Sequence, residues 1–106
     1  MASAKKVKLC SISDLNEGDI KGFKVENKNI MVIKFNGKIY VYDALCTHKN
    51  CNLVRMGLLK DNKIVCICHS SEFNIESGEP INGLAKKPLI RYDFIIEDGS
   101  VNVIIP

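Results

Sequence analysis

Three dipeptides punctuate this chain: Asn36-Gly37, Asp61-Asn62 and Asp98-Gly99. Each stands between two short runs rich in β-branched, aromatic or leucine residues. The first joins "IMVIKF" to "KIYVYD", the second "GLLK" to "KIVCI", the third "RYDFIIE" to "SVNVII". Asn, Asp and Gly tolerate the positive φ that a two-residue hairpin turn demands. The sequence therefore predicts three β-hairpins. "VKLC" and "IKGFKVE" read as two further strands. Between them, "SISDLNEGD" has room for one helical turn at most, with Ser13 as its cap. Short strands joined by regular tight turns imply an all-β fold, a small antiparallel sandwich or open barrel. No repeat, low-complexity tract or linker divides the chain, so residues 1–106 read as one domain.

A chain of 106 residues closes one core and benefits from a metal or disulfide staple. Its net charge of +3 comes from scattered lysines with few aromatics between them, which argues against nucleic acid as a partner. The start, "MASAKKVKLC", has no apolar run of the secretory kind, and no stretch is long enough to span a bilayer. A soluble cytoplasmic protein without a membrane partner is the expectation. In that compartment five cysteines and two histidines point first to metal or redox chemistry, and second to a disulfide framework.

Both histidines lie just after a cysteine, in "CTHKNC" and in "VCICHSSEF". Cys46 and His48 follow one strand; Cys66 and His69 follow another. Two loops beyond strand ends can thus converge, each offering one thiolate and one imidazole. A structural zinc site accepts two cysteines and two histidines, but its usual spacing groups like with like, whereas each loop here mixes them. The pattern C-x-H, seventeen residues, C-x-x-H resembles that of the Rieske [2Fe–2S] family. "DLNEGD", "FNGKIYVYDALCTH" and "SGEPINGLAKKPL" extend the resemblance over nearly the whole chain.

The resemblance implies one [2Fe–2S] cluster in a cluster-binding subdomain inserted into the β-fold. Cys46 and Cys66 would ligate the inner iron, and His48 and His69 the outer iron through Nδ1. Cys51 and Cys68 match the extra cysteines of the high-potential branch, which pair in a disulfide that ties the loops together. By the loop-entropy argument, closing that segment is worth roughly 3 kcal/mol. Ser71 matches the serine that donates a hydrogen bond to a bridging sulfide. Phe73 stands where the family often has tyrosine, without the hydroxyl that would bond a ligand cysteine. Other departures are Lys49 and Asn50 for Leu-Gly, Ile67 for proline, Ser70 for glycine, and Leu84 within the third loop. Cys10 has no role in the motif and reads as a small apolar filler.

Two ferric ions, two sulfides and two thiolates sum to zero with neutral imidazoles, so an added electron meets less repulsion than in an all-cysteine cluster. The family range is about −150 to +300 mV, and the expectation here is near or modestly above zero. Reduction would be coupled to protonation at the histidine ligands, so the potential falls as pH rises. The implied function is a soluble one-electron carrier, not an enzyme, working between a reductase donor and an oxidoreductase acceptor. The alternative is a small Rieske component of a larger oxygenase or reductase system. A sensor using Cys51 and Cys68, and a zinc-stabilised interaction module, are further classes. A monomer is expected. Lys49, Lys86 and Lys87 read as a solvated surface more readily than as a docking rim.

Overall fold

The computed structural model describes residues 4–46, 51–68, 70–82 and 86–105. Among them run β1 (Lys5–Ser11), β2 (Ile20–Val25), β3 (Lys28–Phe35), β4 (Lys38–Asp43), α1 (Leu53–Met56), β5 (Gly57–Lys60), β6 (Lys63–Cys66), β7 (Ser71–Asn74), β8 (Pro80–Asn82), β9 (Asp93–Glu97) and β10 (Ser100–Ile105). The strands form three antiparallel sheets, ordered β1-β10-β9, β2-β3-β4 and β5-β6-β7-β8.

The hairpins form where the turn dipeptides stand. Asn36 and Gly37 take φ of 56° and 76°, Asp61 and Asn62 49° and 64°, Asp98 and Gly99 52° and 70°. Two successive positive φ values give the mirror-image turn whose twist suits a hairpin. The Glu17 carboxylate accepts the backbone N–H groups of both Asn36 and Gly37. Those bonds, Gly37 first, hold its carboxyl below the usual range. The "DLNEGD" segment thereby clamps the β3–β4 turn.

A fourth tight hairpin, β2–β3, lacks a Gly signal: Val25 pairs with Lys28, and Glu26 takes φ of 57°. The second strand therefore stops at Val25, one residue before the sequence reading placed its end. The helical turn is a single 3₁₀ turn, Ile12–Asp14, and its cap is Ser11 rather than Ser13. The Ser11 N–H donates to Asp14 Oδ2 at 3.4 Å.

Ile30, Met31, Val32 and Ile33 of β3 are buried in succession. Side chains alternate across a strand, so such a run must be covered on both faces. Ile30 and Val32 join Val41, Tyr92, Val101, Val103 and Ile105 in one core. Met31 and Ile33 join Tyr42, Leu53, Ile64, Phe73 and Ile75 in the other. The β2-β3-β4 sheet is thus the shared layer, with β1-β10-β9 on one face and β5-β6-β7-β8 on the other. Each side chain so buried contributes about 1.5–3 kcal/mol relative to exposure.

Two tyrosines pin the layers. Tyr42 Oη donates to the Ile75 carbonyl at 2.6 Å, and Tyr92 Oη to Asp43 Oδ2 at 3.0 Å. Adjacent residues of β4 therefore anchor opposite faces. Burial is the main cause pushing both phenols up to about 12; for Tyr92 the Asp43 carboxylate adds to it.

Candidate metal centre

Beyond β4 the chain makes a closed-neck loop. Asp43 Oδ1 accepts the Leu45 N–H at 3.0 Å, which starts the turn away from the strand. Leu45 then bridges Asn52 in antiparallel fashion. The Cys46 N–H donates to the Cys51 carbonyl at 2.9 Å, and the Leu53 N–H to the Ala44 carbonyl at 2.7 Å. Cys46 and Cys51 therefore face each other across the neck. Asn52 Oδ1 accepts the Val54 N–H at 2.9 Å and caps α1. The sequence reading missed this helix, although an asparagine before "LVRM" is its signal.

α1 feeds directly into β5, and β5 pairs with β6, which ends in Cys66. The Ile67 N–H donates to the Met56 carbonyl at 2.8 Å, tying the start of the second loop to the end of α1. The pair Cys66–Ser71 closes that loop at the base of the β6–β7 hairpin. Residues opposite one another across strands share a face, so the Cys66 thiol and Ser71 hydroxyl lie side by side. Ile64 and Phe73 are the next pair on the same face. All four are fully buried. Ser70 takes φ of 58°, the left-handed conformation that a glycine adopts freely.

A disulfide between Cys51 and Cys68 joins the two loops, with S–S 2.08 Å and Cα–Cα 6.9 Å. The sulfurs of Cys51, Cys66 and Cys68 all lie within 4.8 Å of one another. Cys46 and Cys66 are buried thiols, 1% and 0% exposed, in the same apolar cluster. The structure thus brings Cys46, Cys51, Cys66, Cys68 and Ser71 to one end of the β5–β8 layer. His48 and His69 lie outside the described residues, as do Lys49, Asn50 and Leu84. Ile67 is half exposed beside the disulfide, and Lys86 and Lys87 are exposed. Cys10 sits apart, in the other core, where burial pushes its thiol up.

The donor set suits a soft-metal centre. Two thiols sit on neighbouring loops in an apolar setting, with a buried hydroxyl beside one of them. Sulfur ligands of this kind select zinc, copper(I) or iron–sulfur clusters.

A family model, the Rieske [2Fe-2S] domain, matches residues 5–93. The ferredoxin component of the alkene monooxygenase system of Xanthobacter autotrophicus is 32% identical over 95 residues, which cover 90% of this chain and 77% of that one. Among solved structures, a ferredoxin of Sphingomonas yanoikuyae B1 superposes with a TM-score of 0.87 at 28% identity, covering 96% of this chain and all of that one. A ferredoxin–oxygenase complex of carbazole 1,9a-dioxygenase matches with a TM-score of 0.84 at 27% identity, over 92% and 91% of the two chains. Among the described residues no helix is long and apolar enough to cross a membrane.

Proposed function

The chain belongs to the Rieske [2Fe–2S] family, and on that premise we propose that Cys46, His48, Cys66 and His69 hold its one cluster. The protein is an electron carrier of the ferredoxin type, not a catalyst. The free carrier and the component of a larger system are the same reading, because the relatives named as ferredoxin components are carriers that serve an oxygenase. Its partners are accordingly a reductase that supplies electrons and a terminal oxygenase that takes them. We place it in the cytoplasm, as a soluble monomer and a single domain.

The observation that carries the ligand assignment is the burial of the Cys46 and Cys66 thiols in one cluster of side chains, below a bridge that joins their loops. When bound, the cluster supplies a single reversible one-electron site. Backbone hydrogen bonds to Cys51 and β-pairing to Gly57 and Ser71 fix the two thiolates before any metal arrives. Ser71, opposite Cys66 and fully buried, offers a hydroxyl donor toward the sulfur-rich end; such bonds stabilise the more negative state and raise the potential. The Cys51–Cys68 bridge ties the two loops together. His48 and His69 would ligate through Nδ1 and so would hold protons at Nε2.

Metal analysis of the purified protein should give iron and acid-labile sulfide in equal amounts, with a spin-resonance signal only after reduction. A redox titration should give a potential near or modestly above zero that falls as pH rises. Zinc in place of iron would overturn the cluster. So would a pH-independent potential near about −400 mV, the level of an all-cysteine plant-type centre.

A further inference from the structure

The two cysteine-bearing loops have a second link, through α1, that uses no sulfur. Its ends are backbone hydrogen bonds. At the front, the Leu53 N–H donates to the Ala44 carbonyl at 2.7 Å, two residues before Cys46. At the back, the Met56 carbonyl accepts the Ile67 N–H at 2.8 Å, one residue after Cys66. Gly57 follows. It caps α1 by donating its N–H to the Leu53 carbonyl, and it is the register partner of Cys66. One turn of helix thus spans from the Cys46 loop to the Cys66 loop.

Gly57 has φ of −103° and ψ of 150°, extended backbone that any residue adopts. Glycine therefore supplies space here, not backbone freedom. A Cβ at this position would stand 2.5 Å from the Leu53 carbonyl oxygen and 3.3 Å from Leu53 Cβ. Carbon and a carbonyl oxygen in close contact ordinarily lie about 3.3–3.6 Å apart. The obstacle is main chain, which has no rotamer to withdraw. Leu53 has little room to retreat: its side chain is fully buried in the cluster that holds Cys46 and Cys66, and its N–H is tied to Ala44. β5 cannot retreat without disturbing the pair Gly57–Cys66.

We propose that Gly57 is a positioning residue for the metal centre. The bare glycine lets the Leu53 carbonyl close on the start of β5, and that contact sets how far the Cys66 loop stands from the Cys46 loop. The disulfide restrains Cys51 and Cys68, which lie outside the proposed ligand set. The α1 turn acts on the backbone that flanks the two proposed ligand thiols themselves. The effect on a cluster rests on the ligand reading above; the contact does not.

The test compares Gly57→Ala with the parent and with Val103→Ala, a truncation in the other core. Both variants should melt below the parent. Only Gly57→Ala should alter the cluster: its reduced form should show shifted spin-resonance g values, its potential should differ from the parent's, and a chelator should remove its iron about tenfold faster. Asn52→Ala loosens the same turn without adding an atom, by deleting the cap on the Val54 N–H, and should shift the g values too. Should Gly57→Ala fail to fold, Asn52→Ala carries the same comparison.

Hydrogen exchange followed by mass spectrometry, on the same full-length preparations, reads the contact whether or not metal is bound. Peptides carrying Cys46 and Ile67 should exchange about tenfold faster in Gly57→Ala than in Val103→Ala. Parental g values and potential in both α1 variants overturn the proposal, and so does unchanged exchange at Cys46 and Ile67. A parent protein that binds no iron overturns the ligand reading instead, and exchange then decides on the contact by itself.

Discussion

Ser70 sits at φ 58° in the loop that follows Cys66, between the disulfide and the first residue of β7. A side chain in that region costs roughly 1–2 kcal/mol, because Cβ approaches the following carbonyl. Glycine carries no such cost, but it gains about 0.4–1 kcal/mol of freedom in the unfolded chain. The difference favours glycine. Ser70→Gly should stabilise the protein by about 0.5–1 kcal/mol, read as a rise in Tm of about 2–6 °C. Ser70→Ala keeps the Cβ and should bring no rise. A glycine variant that melts at or below the parent would show that the serine side chain contributes more than its backbone costs. The departure from the family's glycine was visible in the sequence. That the backbone keeps the glycine conformation regardless was not, because the neighbouring pair Cys66–Ser71 dictates the turn and overrides local preference.

Elements differ in how far their residues announce them. β3 declares itself twice: its β-branched run marks a strand, and its unbroken burial from Ile30 to Ile33 requires two covering layers. β7 and β8 do not. They are four and three residues long, and the five residues between "SEFN" and "PIN" carry Ser77-Gly78, a turn signal without the two-residue spacing of a tight hairpin. Pairing with β6 makes them strands, which is a tertiary cause. α1 is a single turn whose asparagine cap the motif residues beside it overshadowed. The proposed ligand cysteines stand out in the sequence because spacing carries them. The neck joining Ala44–Cys46 to Cys51–Leu53 was not, because backbone hydrogen bonds leave no pattern in side chains.

The same helix supplies a test of how the site is seated. A Cβ at Gly22 of β2 would stand 2.8 Å from Val54 Cγ2 of α1, and valine has no flexible end to withdraw. Gly22→Ala should push α1 off the middle sheet and cost about 1–3 kcal/mol. Adding Val54→Ala removes the obstructing methyls and should recover part of that loss. A coupling energy of about 0.5–3 kcal/mol in the double-mutant cycle would mark the contact. Strict additivity would mean that the two elements do not press on each other.

At the scale of the whole molecule, two side-chain hydrogen bonds at β4 tie the layers together, and a phenol donates each. Tyr42 reaches Ile75 in the site-bearing layer, while Asp43 receives Tyr92 from the segment leading into β9. Both are pushed up to about 12 from the ordinary 10.0. The sign of the linkage follows. Between those values an unfolded tyrosine has lost its proton and a folded one has kept it. The unfolded state then binds fewer protons, so stability falls as pH rises. This contribution is fully present below pH 10.0 and is lost progressively toward about 12, with a slope of at most about 1.4 kcal/mol per pH unit for each tyrosine. Denaturant midpoints followed from pH 8 upward should therefore stay level to about 10 and then decline. Tyr42→Phe and Tyr92→Phe should each start less stable at neutral pH, since the first deletes a buried hydrogen bond and the second a part-buried one, and each should decline less steeply in the alkaline range. The double variant should be the flattest. A decline of unchanged steepness in the double variant would place its origin elsewhere, in the lysines or in the loops around the cysteines, and not in the two phenols that join the layers.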